Sequence, residues 1–85
     1  MDAKAALADV RGYAAANLIR IGRHARERMA ARGVLYEDVR IALVGARSCS
    51  FQEGGRWKVR GSDRDGDELV LVIVLDAGVI VVTVF

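Results

Sequence analysis

The chain predicts an α+β fold, with N-terminal helices packed on a four-stranded antiparallel sheet. Three observations carry this. Apolar residues recur at helical spacing up to about residue 46, then alternate or run continuously from residue 48. Turn residues cut the second half at short intervals, at Gly54-Gly55, Ser62–Asp67 and Asp76-Ala77-Gly78. Connections that short join antiparallel neighbours. Finally, 85 residues without proline, repeat or linker support a single core. One domain over 1–85 is therefore expected, with helices over about 2–46 and sheet over about 48–85.

Asp2 is the expected N-cap of the first helix, whose Ala3, Leu7, Val10 and Ala14 recur at helical spacing. The helix is alanine-rich and thinly apolar, so the expectation is a helix that is loosely held or one that needs a partner. Leu18 to Ile21 reads as a short extended link. A second helix is expected over about Arg23–Arg32, stopped by Gly33. A third spans about Tyr36–Ala46, with Val39, Ala42 and Leu43 on one stripe and Ile41 and Val44 on another side. Four strands follow: Ser48–Glu53, Arg56–Gly61, Glu68–Leu75 and Val79–Phe85. The third is nearly continuously apolar, as in strands buried on both faces. Long apolar strands are aggregation hazards at a sheet edge, so the last two should be central or covered.

Apolar residues make up 53% of the chain and charged residues 28%, which excludes a disordered tail. The net charge of +2 conceals a pattern. Residues 1–19 sum to zero, residues 20–60 carry net +6, and residues 61–85 carry net −4. Eleven of the thirteen cations are arginine, whose planar fork matches phosphate, although a GC-rich genome gives the same bias. The single cysteine, Cys49, excludes a disulfide framework and a cysteine-based zinc site within the chain. It reads as a small apolar residue. The N-terminus shows no secretory signal, and Leu69–Phe85 is too short and too interrupted to span a membrane. A soluble cytoplasmic protein is the expectation.

Two basic constellations stand out. His24, Arg28 and Arg32 lie within about an 80° arc of the second helix, beside Ala25 and Met29. Three cations stacked in this way repel, and a nearby anion would relieve that; a solvated helix face is the plainer explanation. In Arg56-Trp57-Lys58-Val59-Arg60, strand alternation points Trp57 and Val59 one way and the three cations the other. Such a ladder suits a phosphate backbone, or equally an exposed strand kept soluble by charge. Asp63-Arg64-Asp65-Gly66-Asp67 lacks the acid that would complete a calcium loop and reads as a turn. Thr83 is the lone polar residue among the valines of the last strand.

The string His-Ala-x-x-Arg-Met-x-x-Arg-Gly-Val-x-x-x-Asp-Val, from His24 to Val39, resembles the opening of a small bacterial family, domain of unknown function 4258. Arg56-Trp57-Lys58-Val59-x-Gly61, the Asp65-Gly66-Asp67 turn and the ending Val81-Val82-Thr83-Val84 are similar to it too. The resemblance covers about residues 18–85. It implies a compact toxin of the RelE and MqsR type, a metal-independent endoribonuclease acting on mRNA, with RNA and a small antitoxin as partners and no cofactor. Two departures stand out. Gly22 replaces the expected Ser or Thr before the histidine, and the apolar Ile41 sits where a polar residue is expected.

Under that implication His24 would serve as base or acid and Arg28 and Arg32 would hold the scissile phosphate. Lys58 and Arg60, with Arg56 beside them, would bind the backbone or stabilise the transition state. Thr83 would donate a hydrogen bond. The catalytic set is thus His24, Arg28, Lys58 and Thr83, and the phosphate-binding set Arg32, Arg56 and Arg60, with no metal. The rival reading is a module that binds RNA or an acidic protein without cutting. A third, a small structural subunit, predicts a homodimer through the Ile41 and Val44 helix face. The nuclease reading further requires the two basic sets to adjoin.

Overall fold

The computed structural model describes residues 1–85. Asp2 caps helix α1 (Ala3–Ala15) by accepting the Ala5 amide at 2.7 Å. Its buried stripe is Ala6, Val10 and Ala14, with Leu7 partly buried and Ala3 exposed. Small side chains let α1 lie close on the core, and Arg11 fastens it by donating from Nε to the Ala46 carbonyl at 2.9 Å. The thinly apolar helix is thus held within the molecule.

Residues 19–21 form a strand, β1 (Ile19–Ile21), where the sequence suggested only a link. Its Ile19 and Ile21 pack on the core while Arg20 faces away. Helix α2 (Arg23–Arg32) buries Ala25 and Met29 and ends at Gly33, which takes the left-handed conformation (φ 68°). Helix α3 (Tyr36–Val44) fully buries Val39, Ala42 and Leu43. Asp38, near its start, is buried. Its carboxylate accepts the Leu35 amide at 3.0 Å and pairs with the Arg64 guanidinium at 3.2 Å. That pair ties the 63–67 turn to the helix. The Leu35 amide, joined by the Arg64 amide and guanidinium, holds the Asp38 carboxyl below its ordinary range, against the opposing effect of burial.

Strands β2 (Ser48–Gln52), β3 (Arg56–Ser62), β4 (Glu68–Leu75) and β5 (Val79–Val84) form the expected antiparallel meander. A 3₁₀ turn over Glu53–Gly55 joins the first two. The sheet has five strands in the order β1-β5-β4-β3-β2, and β1 lies parallel to β5. The fold is therefore α+β with a mixed sheet, because the short link after α1 adds an outer strand that periodicity over three residues cannot reveal. The two apolar strands, β4 and β5, are central, as aggregation avoidance requires.

All three helices share one core with one face of the sheet. That core contains Trp57, Val59, Leu69, Leu71, Ile73, Val79, Val81 and Val84. Two glycines permit the close fit. A Cβ on Gly61 would stand 2.1 Å from the Ala42 carbonyl oxygen, so α3 rests directly on β3. A Cβ on Gly22 would stand 2.9 Å from the Val81 oxygen, which the Gly22 amide also bonds at 2.9 Å. The departure at Gly22 thus has a steric reason: the chain turns from β1 into α2 tight against β5.

Candidate functional site

The other face of the sheet carries no helix. Strand register sets out its surface in rows. One row runs Ser50, Lys58, Val72, Thr83; the next runs Gln52, Arg56, Val74, Ile80, with Arg20 beyond it on β1. A third holds Ser48, Arg60 and Val70. Val70, Val72 and Val74 are half-buried here, so β4 is covered on one face only. Its continuous apolar character gives a hydrophobic strip down the middle of an open surface.

The register of β4 and β5 shifts between Val72 and Ile73, a bulge that leaves Val82 without a partner residue opposite. Beside it lies an open cavity of about 550 Å³ lined by Gln52, Glu53, Arg56, Val72, Val82, Thr83 and Phe85. The Lys58 ammonium stands 5.9 Å from the centroid of the Phe85 ring. Phe85 itself is 47% exposed.

The three cations of β3 are not equivalent. Arg60 pairs with Glu68 at 2.7 Å, and Arg47 reaches the same carboxylate at 3.6 Å while donating to the Ser62 hydroxyl at 2.6 Å. Arg56 and Lys58 form no ion pair, and neither does Glu53. Glu68, at the start of β4, therefore compensates one end of the basic ladder. The uncompensated cations are the two near the cavity.

The α2 set is placed elsewhere. His24, Arg28 and Arg32 are all exposed, and none lines the cavity. Arg28 donates from Nε to the Val84 carbonyl at 3.3 Å, along the outer edge of β5 beyond the end of β1. His24 and Arg32 have no side-chain partner. Ala25 and Met29 dock α2 on the covered side, and from there Arg28 reaches the outer edge of β5. Strand β4 lies between β5 and β3, so Thr83 and Lys58, which share a row, are themselves about 10 Å apart at the backbone. Arg56 and Thr83 line the cavity and Lys58 stands beside it against the Phe85 ring; His24, Arg28 and Arg32 do not line it, and Arg60 is paired with Glu68.

Sequence reasoning missed Gln52, Glu53, Val82 and Phe85. Glu53 sits directly before Gly54-Gly55, where a hairpin turn was legible. The bulge beside the cavity has no sequence signature. No group of three or more His, Cys, Asp or Glu residues is arranged to hold a metal ion. In the 63–67 turn, the Asp63 carboxylate is engaged by the Asp65 and Asp67 amides at 2.9 and 3.0 Å. Burial pushes the Cys49 thiol up to about 11, so it stays protonated at neutral pH. Of the proposed dimer face on α3, Ile41 is half-buried by its own chain and Val44 is exposed. No helix is long and apolar enough to cross a membrane.

Fold and site together define an α+β domain with one covered and one open sheet face, the open one bearing two free cations, a carboxylate and a hydroxyl around a cavity. Neither a protein-family model, a curated protein nor a solved structure matches the chain. The family resemblance thus rests on the motif residues alone.

Proposed function

We propose that this chain is a metal-independent endoribonuclease of the toxin type, which cuts mRNA in the cavity of its open sheet face and is held in check by a cognate antitoxin. The observation that carries the reading is the unpaired Arg56 with Glu53 and Thr83 in the lining of one cavity, and the unpaired Lys58 beside it against the Phe85 ring. RNA cleavage without a metal needs a base for the 2′-hydroxyl, cations for the charged phosphorane and an acid for the leaving oxygen. Glu53 takes the 2′-hydroxyl proton as that oxygen bonds to phosphorus. The Arg56 guanidinium and Lys58 ammonium neutralise the phosphorane, and the Thr83 hydroxyl donates to a non-bridging oxygen. The bond to the 5′-oxygen then breaks, and Lys58 protonates that oxygen. The base role falls to Glu53 because His24 lies outside the cavity. An mRNA substrate implies a cytoplasmic site of action.

The test incubates RNA in EDTA with the wild type and with Arg56→Ala, Lys58→Ala, Glu53→Gln and His24→Ala variants. Cleavage by the wild type and by His24→Ala, lost in the other three, supports the reading. RNA left intact by the wild type overturns it, as does loss confined to His24→Ala. One observation favours a second reading, binding without cutting: the only imidazole in the chain is outside the cavity. RNA retained intact, with affinity that falls steeply as salt rises, marks that outcome.

A further inference from the structure

The two edges of the sheet are guarded differently. At one, β1 is three residues long, carries Arg20 and runs directly into α2. Short charged edges covered by a helix resist pairing with another chain. At the other, β2 pairs with β3 through five consecutive residues in unbroken register. Its sequence, Ser48-Cys49-Ser50-Phe51-Gln52, has no charge and no proline. No backbone hydrogen bond outside the strand ladder reaches these residues. Phe51 has its ring edge-on to Trp57 at 5.2 Å and is 63% exposed.

We infer that β2 pairs with β2 of a second copy of this chain, antiparallel about a two-fold axis through Ser50, joining two five-stranded sheets into one. The strand is its own complement in this register. The axis sets Ser50 against Ser50, Cys49 against Phe51 and Ser48 against Gln52. Each Phe51 ring then lies beside the small Cys49 of the other copy on the covered side, and polar residues meet polar residues on the open side. No like charges oppose one another. A half-step shift of the axis would pair residues that point to opposite faces, which a pleated sheet forbids. A full-step shift leaves part of the strand unpaired. A charged partner segment would find no complementary charge on this strand, whereas a second copy needs none. The α3 surface offers less, since Ile41 is already half-buried by its own chain.

The axis stands perpendicular to the sheet, so the helices of both copies share one side and both cavities open on the other. Two Lys58 residues are then three strand spacings apart, about 14 Å. A five-residue edge pair buries less than a standard stable interface, so the dimer is weak.

Sedimentation equilibrium of the full chain from low to high micromolar concentration tests this. The wild type should dimerise with rising concentration, and Phe51→Lys should remain monomeric with an unchanged circular dichroism spectrum. In a Cys49→Ala background, Ser50→Cys should oxidise to a covalent dimer, because residues facing across the axis fall within disulfide reach. Ser48→Cys should not, since Gln52 faces it. A wild type that stays monomeric throughout overturns the inference. So do a Phe51→Lys variant that self-associates like the wild type and equal cross-linking through residues 48 and 50. RNA binding by either form is a separate measurement, so failure here leaves the proposed function standing.

Discussion

The two faces of the sheet are built from the same strands and meet opposite fates. On the covered face, Val59, Leu71, Ile73 and Val81 are fully buried under the helices. On the open face, their sequence neighbours Lys58, Val72, Val74 and Ile80 are half-buried with nothing above them. In β3 the contrast is chemical, apolar on one side and cationic on the other. In β4 it is purely positional, because every residue from Leu69 to Leu75 is apolar. An apolar strand therefore did not mean a strand covered twice. The three helices, of nine to thirteen residues, all lie in one layer on the covered face.

The largest expected effect sets adjacent residues of β4 against each other. Leu71→Ala should destabilise the fold by about 2–5 kcal/mol through transfer and cavity costs. Val72→Ala, on the open face, should cost less than about 1.5 kcal/mol, because less of the side chain leaves water on folding. Urea unfolding midpoints read both, and equal losses would mean that the faces do not differ.

The next prediction separates the two cationic sets. Arg56→Ala and Lys58→Ala should each weaken RNA binding several-fold and lower the slope of log affinity against log salt by about 1, without changing stability. Arg32→Ala should leave both nearly unchanged. Filter binding at three salt concentrations measures this, and a slope that falls equally in all three variants would erase the distinction.

A smaller effect concerns acid. The Asp38 carboxyl titrates lower folded than unfolded, so its stabilisation is fully present above the unfolded value, near pH 4, and is lost as pH falls through the lower folded value. Thermal melts of wild type and Asp38→Asn should therefore differ most at neutral pH and converge below about pH 4. A constant gap across that range would place the contribution of Asp38 elsewhere. The smallest effect is expected at Arg60, whose ion pair with Glu68 is about half exposed. Arg60→Ala should change stability by less than about 1 kcal/mol and RNA affinity less than Arg56→Ala does, as the same unfolding and binding measurements will show.

Much of the architecture was legible because its causes are local. Gly33 ends α2 where a left-handed residue was expected, and Asp2 caps α1. Trp57 and Val59 alternate with the cations of β3 as pleating demands. The site was legible in part. Arg56 and Thr83 line the cavity with Lys58 beside it, yet His24, Arg28 and Arg32, which looked equally suited by spacing, do not line it. Helical spacing tells which side chains share a face of α2. It carries no information about the side of the sheet on which α2 comes to rest.

The sequence by itself determined the α+β class, nearly every element boundary and which residues of β3 share a face. These follow from periodicity and turn chemistry within a few residues. Only the tertiary structure decided that Ile19–Ile21 becomes a parallel fifth strand, that Glu68 neutralises Arg60 and leaves Arg56 and Lys58 free, and that a bulged Val82 lines a cavity with Glu53 and Phe85. Those outcomes depend on contacts between segments far apart in the chain, where small side chains such as Gly22 and Gly61 let backbones approach and so settle which surfaces meet.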